Sequence, residues 1–490
     1  MMPLTAYLIF GIAVLALMLL WRSHRVINVL TVLHSMGVIL MAVYFLSYGS
    51  VPTHYFDNNF YLDYLSVYQI AITGIIFAIA AVYAGGYIEG LMDAGFLDKR
   101  NLRLFYISYN MLLIATVLSF SSNNLALFWI FIELTTFFSA FLIAILNSKK
   151  NIDASLKYIF VTSTTMLFSF IGLILLFTLT EKTLGQGTLN WDVLLDHAKD
   201  FPPQFLTAAF AFIFIGLAAK AGVAPFHTTL PHAHSKAPAP FSAILSAVML
   251  NIGLYGILRI FAVVRQTASA AAASNLLIAF GMMSIVVASF SMLQQRNLKK
   301  LIAFSSTEHM GLMLVGVGLG TPAAIFWILY HMLAHSLSKA LLFLSAGILH
   351  KQYHSNKIEN IKDPLKMQPF ASAALIIGSI AIIGMPPSIV FISKLYMLLQ
   401  ISAYSPWLLF ATLLLLLIAS AAFAVFLTKI FSNTSGEERT DKLEKYVAPR
   451  RMKIPIIVLI MLIYVLGVFF PAELQNLLQD IVSGLGFKTV

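Results

Sequence analysis

Residues 216–240 read GLAAKAGVAPFHTTLPHAHSKAPAP, and this stretch decides the fold. An apolar run ends at Lys220, and four prolines follow, at positions 225, 231, 238 and 240. Proline removes a backbone donor and clashes with the preceding turn, so a helix unwinds there. Unwound backbone at membrane depth is tolerated only beside protein or water, and it marks transport sites. The stretch therefore predicts a broken transmembrane helix with a lysine at the break.

A second break lies further along the chain. The motif GMPP at residues 384–387 interrupts an apolar run shortly before Lys394. Lys220 and Lys394 are 174 positions apart, and Glu133 and Glu308 are 175 apart. These offsets relate the fourth to eighth apolar runs to the ninth to thirteenth. Because five is an odd number, the two units must have opposite orientations, which predicts the inverted repeat of secondary transporters.

Composition places the whole chain in a membrane. Of its 490 residues, 60% are hydrophobic and 10% are charged, whereas a soluble domain carries about 25% charged residues. Apolar runs of about 20 residues, each long enough to span a bilayer, recur throughout. We predict an all-α polytopic membrane protein of about 14 transmembrane helices. The predicted spans are residues 3–21, 26–48, 63–84, 102–120, 123–146, 153–180, 204–220, 239–264, 272–293, 298–319, 322–349, 370–401, 406–430 and 454–470. The predicted domains are an N-terminal three-helix segment (1–101), a first transport repeat (102–265), a second, inverted repeat (266–430), and a cytoplasmic loop with a C-terminal helix (431–490).

Lysines and arginines in short loops predict the orientation, because they accumulate on the cytoplasmic side. The richer set of alternate loops includes Lys149, Lys150, Arg296, Lys299, Lys300, Lys351, Lys357 and Lys362. The opposite loops include Lys182, Lys199, Arg259 and Arg265. Both termini are therefore expected on the non-cytoplasmic side of a bacterial or archaeal inner membrane. The net charge of +11 is explained by this topology, and it does not indicate a nucleic-acid groove.

Redox or nucleotide chemistry is not expected in this chain. It has no cysteine, which excludes disulfides and cysteine-ligated iron–sulfur or zinc sites. It also has no glycine-rich nucleotide loop between a strand and a helix. We therefore expect no cofactor or metal in this chain.

Charged residues inside the spans are the first candidates for proton transfer. Glu133 is a lone carboxylate in the middle of its span, and we expect it to pair with Lys220. Lys220 and Lys394 each lie beside a helix break, where a buried ammonium can exchange a proton. Lys157 begins its span, so a proton-transfer role and extension to the membrane interface remain equal alternatives.

Histidines supply the second group of candidates. His331, His335 and Lys339 are spaced by four, so they share a helix face and could relay protons. Haem or zinc on the two histidines is an alternative, but no carboxylate lies near them in the span. His309 could link the two units or pack in the core, and its neighbour Glu308 is expected to point elsewhere. The histidines that flank the first break, which could line a cytoplasmic entrance, are His227, His232 and His234.

Four segments resemble one known family. Residues 216–259 resemble the signature of the antiporter-like subunits of respiratory complex I, of hydrogenase 4-type membrane-bound hydrogenases and of multisubunit sodium/proton antiporters. NLKKLIAFSSTEHMG (297–311), HMLAHSLSKALLFLSAG (331–347) and GMPPSIVFISKLYML (384–398) also look like family segments. The resemblance implies a fourteen-helix core, proton translocation and assembly into a larger complex.

The resemblance also implies roles for single residues. Glu133 and Lys220 match the family's charged pair. Those that match its central titratable chain, with Lys394 as the distal site, are Lys157, Lys339 and Lys394. Two positions depart from the family: Asn251 stands where many members have a basic residue, and His232 replaces the usual aspartate of LPDAH.

Three functions remain open at this stage. The first is a proton-translocating, non-redox subunit of a membrane-bound oxidoreductase complex of the hydrogenase 4 or complex I type. Its partners would be other membrane subunits and a peripheral redox arm carrying iron–sulfur clusters and nickel–iron or flavin. The second is a sodium/proton antiporter or bicarbonate-uptake subunit without a redox arm. The third is a structural membrane scaffold, against which the intramembrane lysines and helix breaks argue.

Overall fold

The computed structural model describes residues 3–21, 23–48, 51–434 and 444–487. Thirteen of the described helices are long and apolar enough to cross a membrane. Two shorter apolar helices, Pro369–Ile383 and Ile389–Tyr404, flank the second predicted break and together form one interrupted span. The described helices thus account for all fourteen predicted spans, and the all-α polytopic class is confirmed. The inverted repeat and the domain boundaries stay predictions, and residues 435–443 of the predicted cytoplasmic loop lie outside the described ranges.

The helices follow one another in three groups. The N-terminal segment contains α1 (Pro3–Leu20), α2 (His24–Ser47), the hairpin β1 (Thr53–Tyr55) and β2 (Phe60–Leu62), and α3 (Tyr64–Asp93). The first predicted unit contains α4 (Lys99–Ser121), α5 (Leu125–Ala144), α6 (Lys149–Leu184), α7 (Trp191–Asp196), α8 (Pro203–Lys220), α9 (Thr229–Lys236), α10 (Ala239–Ile244) and α11 (Leu250–Val264). The second contains α12 (Ala270–Leu293), α13 (Leu298–Leu319), α14 (Pro322–Tyr353), α15 (Pro364–Met367), α16 (Pro369–Ile383), α17 (Ile389–Tyr404) and α18 (Pro406–Phe431), and it is followed by α19 (Arg450–Val468) and α20 (Ala472–Gly484).

Three polar caps fix where the site-bearing helices begin. The side chain of Asn124 accepts hydrogen bonds from the backbone of the first turn of α5. Asn297 and Ser388 do the same for α13 and α17. Each cap satisfies a backbone donor that the helix cannot satisfy itself, which matters most where water is scarce. The caps therefore fix the starting points of the helices that carry Glu133, Glu308 and Lys394.

The centre of the molecule is a band of fully enclosed helices. The most apolar 18-residue stretches within residues 239–264 and within α14 are 100% buried, and that of α13 is 94% buried. By contrast, only 28% of the corresponding stretch is buried in each of α1, α18 and α19, as expected for helices that face lipid. Residues 239–264 run continuously from α10 through a π-helical turn at 245–249 into α11. Polar groups on these central helices are shielded from both lipid and bulk water.

Two glycines permit the close approaches at the breaks. A Cβ on Gly253 would lie 2.5 Å from the backbone nitrogen of Ala221, so only glycine lets α11 press against the end of α8 beside Lys220. Gly384 ends α16 at φ +95°, in the left-handed region that glycine enters without strain. A Cβ there would lie 3.2 Å from Cδ of Lys394. At each break, the absence of a glycine side chain thus leaves room for the close packing beside the lysine.

Arg259 is buried in the structure, and the prediction that it lies in a loop is wrong. Its guanidinium donates to both carboxylate oxygens of Asp63, at 2.9 and 2.7 Å. It also lies over the rings of Trp191 and Tyr255, at 4.8 and 4.7 Å from their centroids. Asp63 caps α3, so this bidentate pair ties the N-terminal segment to the end of α11. Arg259 was assigned to a loop because it lies near the end of a predicted span. The sequence did not show that Asp63 and Trp191, which are distant in the chain, enclose it.

Three of the elements that were not predicted show why hydropathy missed them. The β1–β2 hairpin and α7 are too short to give a hydropathy signal. Helix α20 follows the last span and buries Leu478, Ile481 and Val482 against the body of the molecule. It contacts α3 and α14, and its opposite face is polar. Such an amphipathic helix is too polar for a membrane span, which explains why hydropathy missed it.

Candidate functional site: a buried row of lysines and histidines

One face of α14 carries the centre of the site. His331, His335 and Lys339 lie one turn apart on it, as their spacing predicts, and all three are completely buried. Nζ of Lys339 donates a hydrogen bond to the backbone oxygen of Ile302 at 3.1 Å. It also donates to Oγ of Ser305, one turn further along α13. The lysine is thus held between two helices by uncharged acceptors.

A cluster of imidazoles lies next to Lys339. We call Lys339, these histidines and the ion pair beyond them the row. His309 of α13 and His331 are hydrogen-bonded, with 2.8 Å between Nδ1 and Nε2, and their rings are stacked. The ring of His335 lies 5.5 Å from that of His309. Nδ1 of His331 is 2.8 Å from Oγ of Ser393 on α17. His309 therefore joins the row inside the second unit, and its predicted role as a link between the two units stays a prediction.

The row ends at an ion pair. Nζ of Lys394 lies 3.2 Å from Oε1 of Glu308, and the other carboxylate oxygen lies 3.5 Å from Nε2 of His309. Lys394 also donates to the backbone oxygen of Ile382 at 3.3 Å, in the last turn of α16. The broken helix leaves this carbonyl without a helical partner, so it can accept from the ammonium.

Glu308 was missed as a site residue, and the expectation that it points elsewhere is wrong. Adjacent residues on a helix point in directions about 100° apart. Glu308 nevertheless belongs to the same site as His309, because α16 and α17, the two halves of the broken helix, pack beside both residues. The sequence did hold a signal, since Glu308 and Glu133 are separated by nearly the same interval as the two lysines at the breaks.

Lys220 is completely enclosed at the end of α8. Its Nζ donates to Oγ1 of Thr135 at 2.6 Å, to Oγ1 of Thr136 at 3.0 Å and to the backbone oxygen of Ile132 at 3.4 Å. A small cavity of about 10 Å³ between α6 and α8 touches Lys220 and His227. This volume fits about one water molecule.

Glu133 does not form the expected ion pair with Lys220. Within the described residues no carboxylate oxygen lies within 4 Å of Nζ of Lys220. Glu133 instead accepts from Oγ of Ser163 on α6 at 2.7 Å. Ile132, Thr135 and Thr136 share the inner face of α5, whereas Glu133 is rotated away from that face by about 100°.

The remaining sequence candidates lie at different depths. Lys157 is exposed on the outer side of α6 and pairs with Asp153 at 2.9 Å, so the structure does not bring it into the row. His227 and His234 are buried beside the first break, whereas His232 is exposed. No three His, Asp or Glu side chains come together as metal ligands in the described ranges.

Asn251 lies between the two units. It is completely buried, and its Nδ2 donates to the backbone oxygen of Ala247 at 3.2 Å and to Oγ of Ser336 at 3.1 Å. Ser336 is on α14, three residues before Lys339. Asn251 therefore faces α14 rather than Lys220. Its amide can form hydrogen bonds at this position but cannot gain or lose a proton as a basic residue can.

We expect Asn251→Lys to slow ion transport by a factor of a few. The new ammonium would lie one turn from Lys339, and like charges in a poorly solvated site disfavour each other's protonation. The measurement is proton uptake by membrane vesicles at matched protein levels, with Asn251→Gln as a control that keeps the amide. Transport that is unchanged or faster in the lysine variant would show that the position accepts a charge.

Comparison with known proteins agrees with this geometry. Residues 122–419 match the family described as NADH:quinone oxidoreductase/Mrp antiporter, transmembrane. The chain is 30% identical over 481 residues to a hydrogenase-4 component F homolog of Methylacidiphilum infernorum, covering 98% of both chains. It is 28% identical to NADH-quinone oxidoreductase subunit N of Desulforudis audaxviator, over 85% of this chain and 83% of that protein.

Two solved structures share the fold. A chain of an archaeal membrane-bound sulfane sulfur reductase has a TM-score of 0.84 at 23% identity and covers 99% of this chain and 96% of its own. A chain of the Mrp complex of a Dietzia species has a TM-score of 0.83 at 18% identity, covering 99% and 98%. The family match extends over the two broken helices, Lys220 and every residue of the row. This chain therefore belongs to the transmembrane family of antiporter-like subunits found in NADH:quinone oxidoreductases and Mrp antiporters.

Proposed function

We propose that this chain carries protons across the membrane as an antiporter-like subunit of a membrane-bound redox complex of the hydrogenase 4 or complex I type. The observation that carries the proposal is the buried row from Lys339 through three histidines to the Glu308–Lys394 pair. Partner subunits would perform the redox chemistry with their own iron–sulfur clusters and nickel–iron or flavin. The loop charges support an inner-membrane location with both termini on the non-cytoplasmic side.

The row has the properties that stepwise proton transfer requires. Each group can gain and lose a proton, and successive groups are hydrogen-bonded or one helical turn apart. The His309–His331 hydrogen bond uses one proton between two nitrogens, so a proton that arrives on one ring can leave from the other. The carboxylate of Glu308 lies between the ammonium of Lys394 and the imidazole of His309, so a proton that leaves His309 can reach the carboxylate and remove the counter-charge of Lys394.

The surroundings of Glu308 favour protons over sodium as the transported ion. A sodium site needs several oxygen ligands around the metal. Here one oxygen of Glu308 faces the ammonium of Lys394 and the other faces an imidazole nitrogen. Both partners carry or bind protons and repel a bound cation.

Glu133 indicates where a partner subunit binds. It lies on the wall of an open groove of about 420 Å³ between α5 and α6, which is lined mainly by apolar side chains such as Trp129, Leu134 and Phe137. A carboxylate that faces hydrocarbon from the middle of a span is costly. We infer that another membrane subunit covers this face and completes the surroundings of Glu133.

The test of the proposal compares two lysines in the assembled complex. Lys394→Ala is expected to lower redox-driven proton uptake by inverted vesicles several-fold, because the end of the row loses its proton carrier. Lys429→Ala is the matched control, since Lys429 is exposed in the last turn of α18. Equal transport in both variants, at equal amounts of assembled complex, would overturn the proposal.

A further inference from the structure

Two buried side chains outside the row point to a second place where protons are loaded. His234, in the short helix α9, is completely buried, and its ring is stacked on Phe343 of α14 at 4.4 Å between centroids. Phe343 is four residues after Lys339, so His234 lies about one helical turn from the start of the row. Neither ring nitrogen of His234 has a hydrogen-bond partner among the described residues. A buried imidazole without a protein partner calls for water.

Lys299 is the second of these side chains. The sequence placed it in a loop, but it is 1% exposed in the first turn of α13. Its Nζ donates to the backbone oxygen of Ala237, the residue that follows α9, at 2.8 Å. A positive charge at a helix N-terminus is opposed by the helix dipole, and no carboxylate within the described residues lies within 4 Å of Lys299. The ammonium of Lys299 is therefore buried without a counter-charge among the described residues.

These groups form a series that leads toward the lysine-rich side of the molecule, which is the side whose loops carry most of the lysines and arginines and are predicted to be cytoplasmic. Lys299 is three residues before Ile302, whose backbone oxygen accepts from Lys339. On the outer side, near the end of α14, His350 is half-buried, and its Nδ1 also lacks a partner among the described residues. The order from outside to inside is therefore His350, Lys299, His234 and Lys339.

We propose that Lys299 and His234 load protons from the lysine-rich side directly onto Lys339, in parallel with the route through Lys220. The proposal rests on the proposed proton transport and adds a second place of uptake to it. Asn251 and Ser336 lie where the first unit meets α14, whereas Lys299 and His234 reach α14 from α13 and α9. In this proposal both routes meet at Lys339, which lies three residues after Ser336 and four residues before Phe343, the residue on which His234 is stacked. Each half of the molecule then has its own access to the same compartment.

Transport by single and double variants of the assembled complex tests this arrangement. Lys220→Met and Lys299→Met should each reduce proton uptake and leave a measurable part of it. The double variant should lower this remaining transport by about a hundredfold, the low end of what a positioned proton-transfer group contributes. Lys299→Arg should keep the hydrogen bond to Ala237 but not release its proton, so it should behave like Lys299→Met. Lys300→Met, a half-exposed neighbour, should leave transport unchanged.

The outcomes separate the inference from the function on which it rests. If Lys220→Met alone removes all transport and Lys299→Met is silent, the row has one route and the inference is wrong. If Lys299→Arg restores wild-type transport, Lys299 only fastens α9 to α13, and the inference is also wrong. If even Lys394→Ala pumps normally, the proposed function itself fails.

Cysteine labelling provides a readout that does not depend on pumping. The chain has no native cysteine, so Lys299→Cys, Lys300→Cys and Leu301→Cys each give it a single thiol. A membrane-impermeant cationic thiol reagent is applied from the lysine-rich side. Position 300 should react fastest, position 299 more slowly, and the fully buried position 301 should not react. Equal protection of positions 299 and 301 would overturn the inference.

Discussion

Replacing Lys339 with methionine is expected to lower proton transport by about a hundredfold or more, the range that a positioned proton-transfer group contributes. In the proposed path Lys339 is the first group of the row, and the next titratable groups on its face of α14 are His335 and His331, which lie after it in the path. Methionine has nearly the same length and no charge, so the helices around it should stay packed. Ser305 keeps its own hydrogen bond to Ile302 at 2.9 Å. The measurement is proton uptake per electron transferred in inverted vesicles.

The control for this variant lies on the same helix. Lys351→Met removes a lysine near the end of α14 whose ammonium lies over the ring of Tyr87, at 5.3 Å from the centroid, and not in the row. It should assemble and pump as the wild type does. Strong transport by an assembled Lys339→Met complex would mean that protons bypass α14, and the proposed path would have to be abandoned.

The sequence predicted those parts of the site that depend on local chemistry. Proline clusters identified both breaks, because proline disrupts a helix wherever it occurs. The interval of four between His331, His335 and Lys339 identified their common face, because helix geometry alone sets it. The lone lysines at the breaks were correctly placed in the interior. None of these inferences required knowledge of which helices are neighbours.

Partner identities were not predictable in the same way. Glu133 was assigned to Lys220, but the rotation of α5 turns the carboxylate toward Ser163. Arg259 and Lys299 were assigned to loops because they lie near span ends, where exposed charges are usual. Their burial comes from elements distant in the chain: Asp63 and Trp191 around Arg259, and the end of α9 above Lys299. Hydropathy indicates how deep in the membrane a residue lies, but it does not indicate which other parts of the protein bury its side chain.

The two break lysines differ in their partners although each lies beside a helix break. Lys220 is bound by two threonine hydroxyls and a carbonyl, all uncharged, whereas Lys394 has a carboxylate at 3.2 Å. The carboxylate of Glu308 is a counter-charge for Lys394, whereas the hydroxyl and carbonyl oxygens around Lys220 do not compensate its charge. Release at Lys394 therefore requires that Glu308 first be neutralised or turned away. In the proposed transport, the step at Lys394 is therefore conditional on Glu308, and no such carboxylate acts at Lys220 within the described residues.

The condition at Lys394 leads to a prediction about both stability and transport. Glu308→Ala should destabilise the protein by about 3–5 kcal/mol, because it leaves the ammonium of Lys394 buried without its counter-charge. It should also stop transport, since His309 loses the acceptor of its proton. The measurements are thermal unfolding of the purified complex in detergent and proton uptake by vesicles prepared at permissive temperature.

A second substitution separates these two effects. Adding Lys394→Met to Glu308→Ala removes the unpaired charge, and replacing both members of a buried ion pair by apolar groups is often neutral or stabilising. The double variant should therefore regain most of the lost stability and still not transport protons. Glu308→Gln, which keeps the volume and a hydrogen-bond acceptor, should fall between the two in stability and transport as poorly as Glu308→Ala. A double variant as unstable as Glu308→Ala would show that the pair holds the helices together by packing, and recovered transport would show that protons leave the row before reaching Lys394.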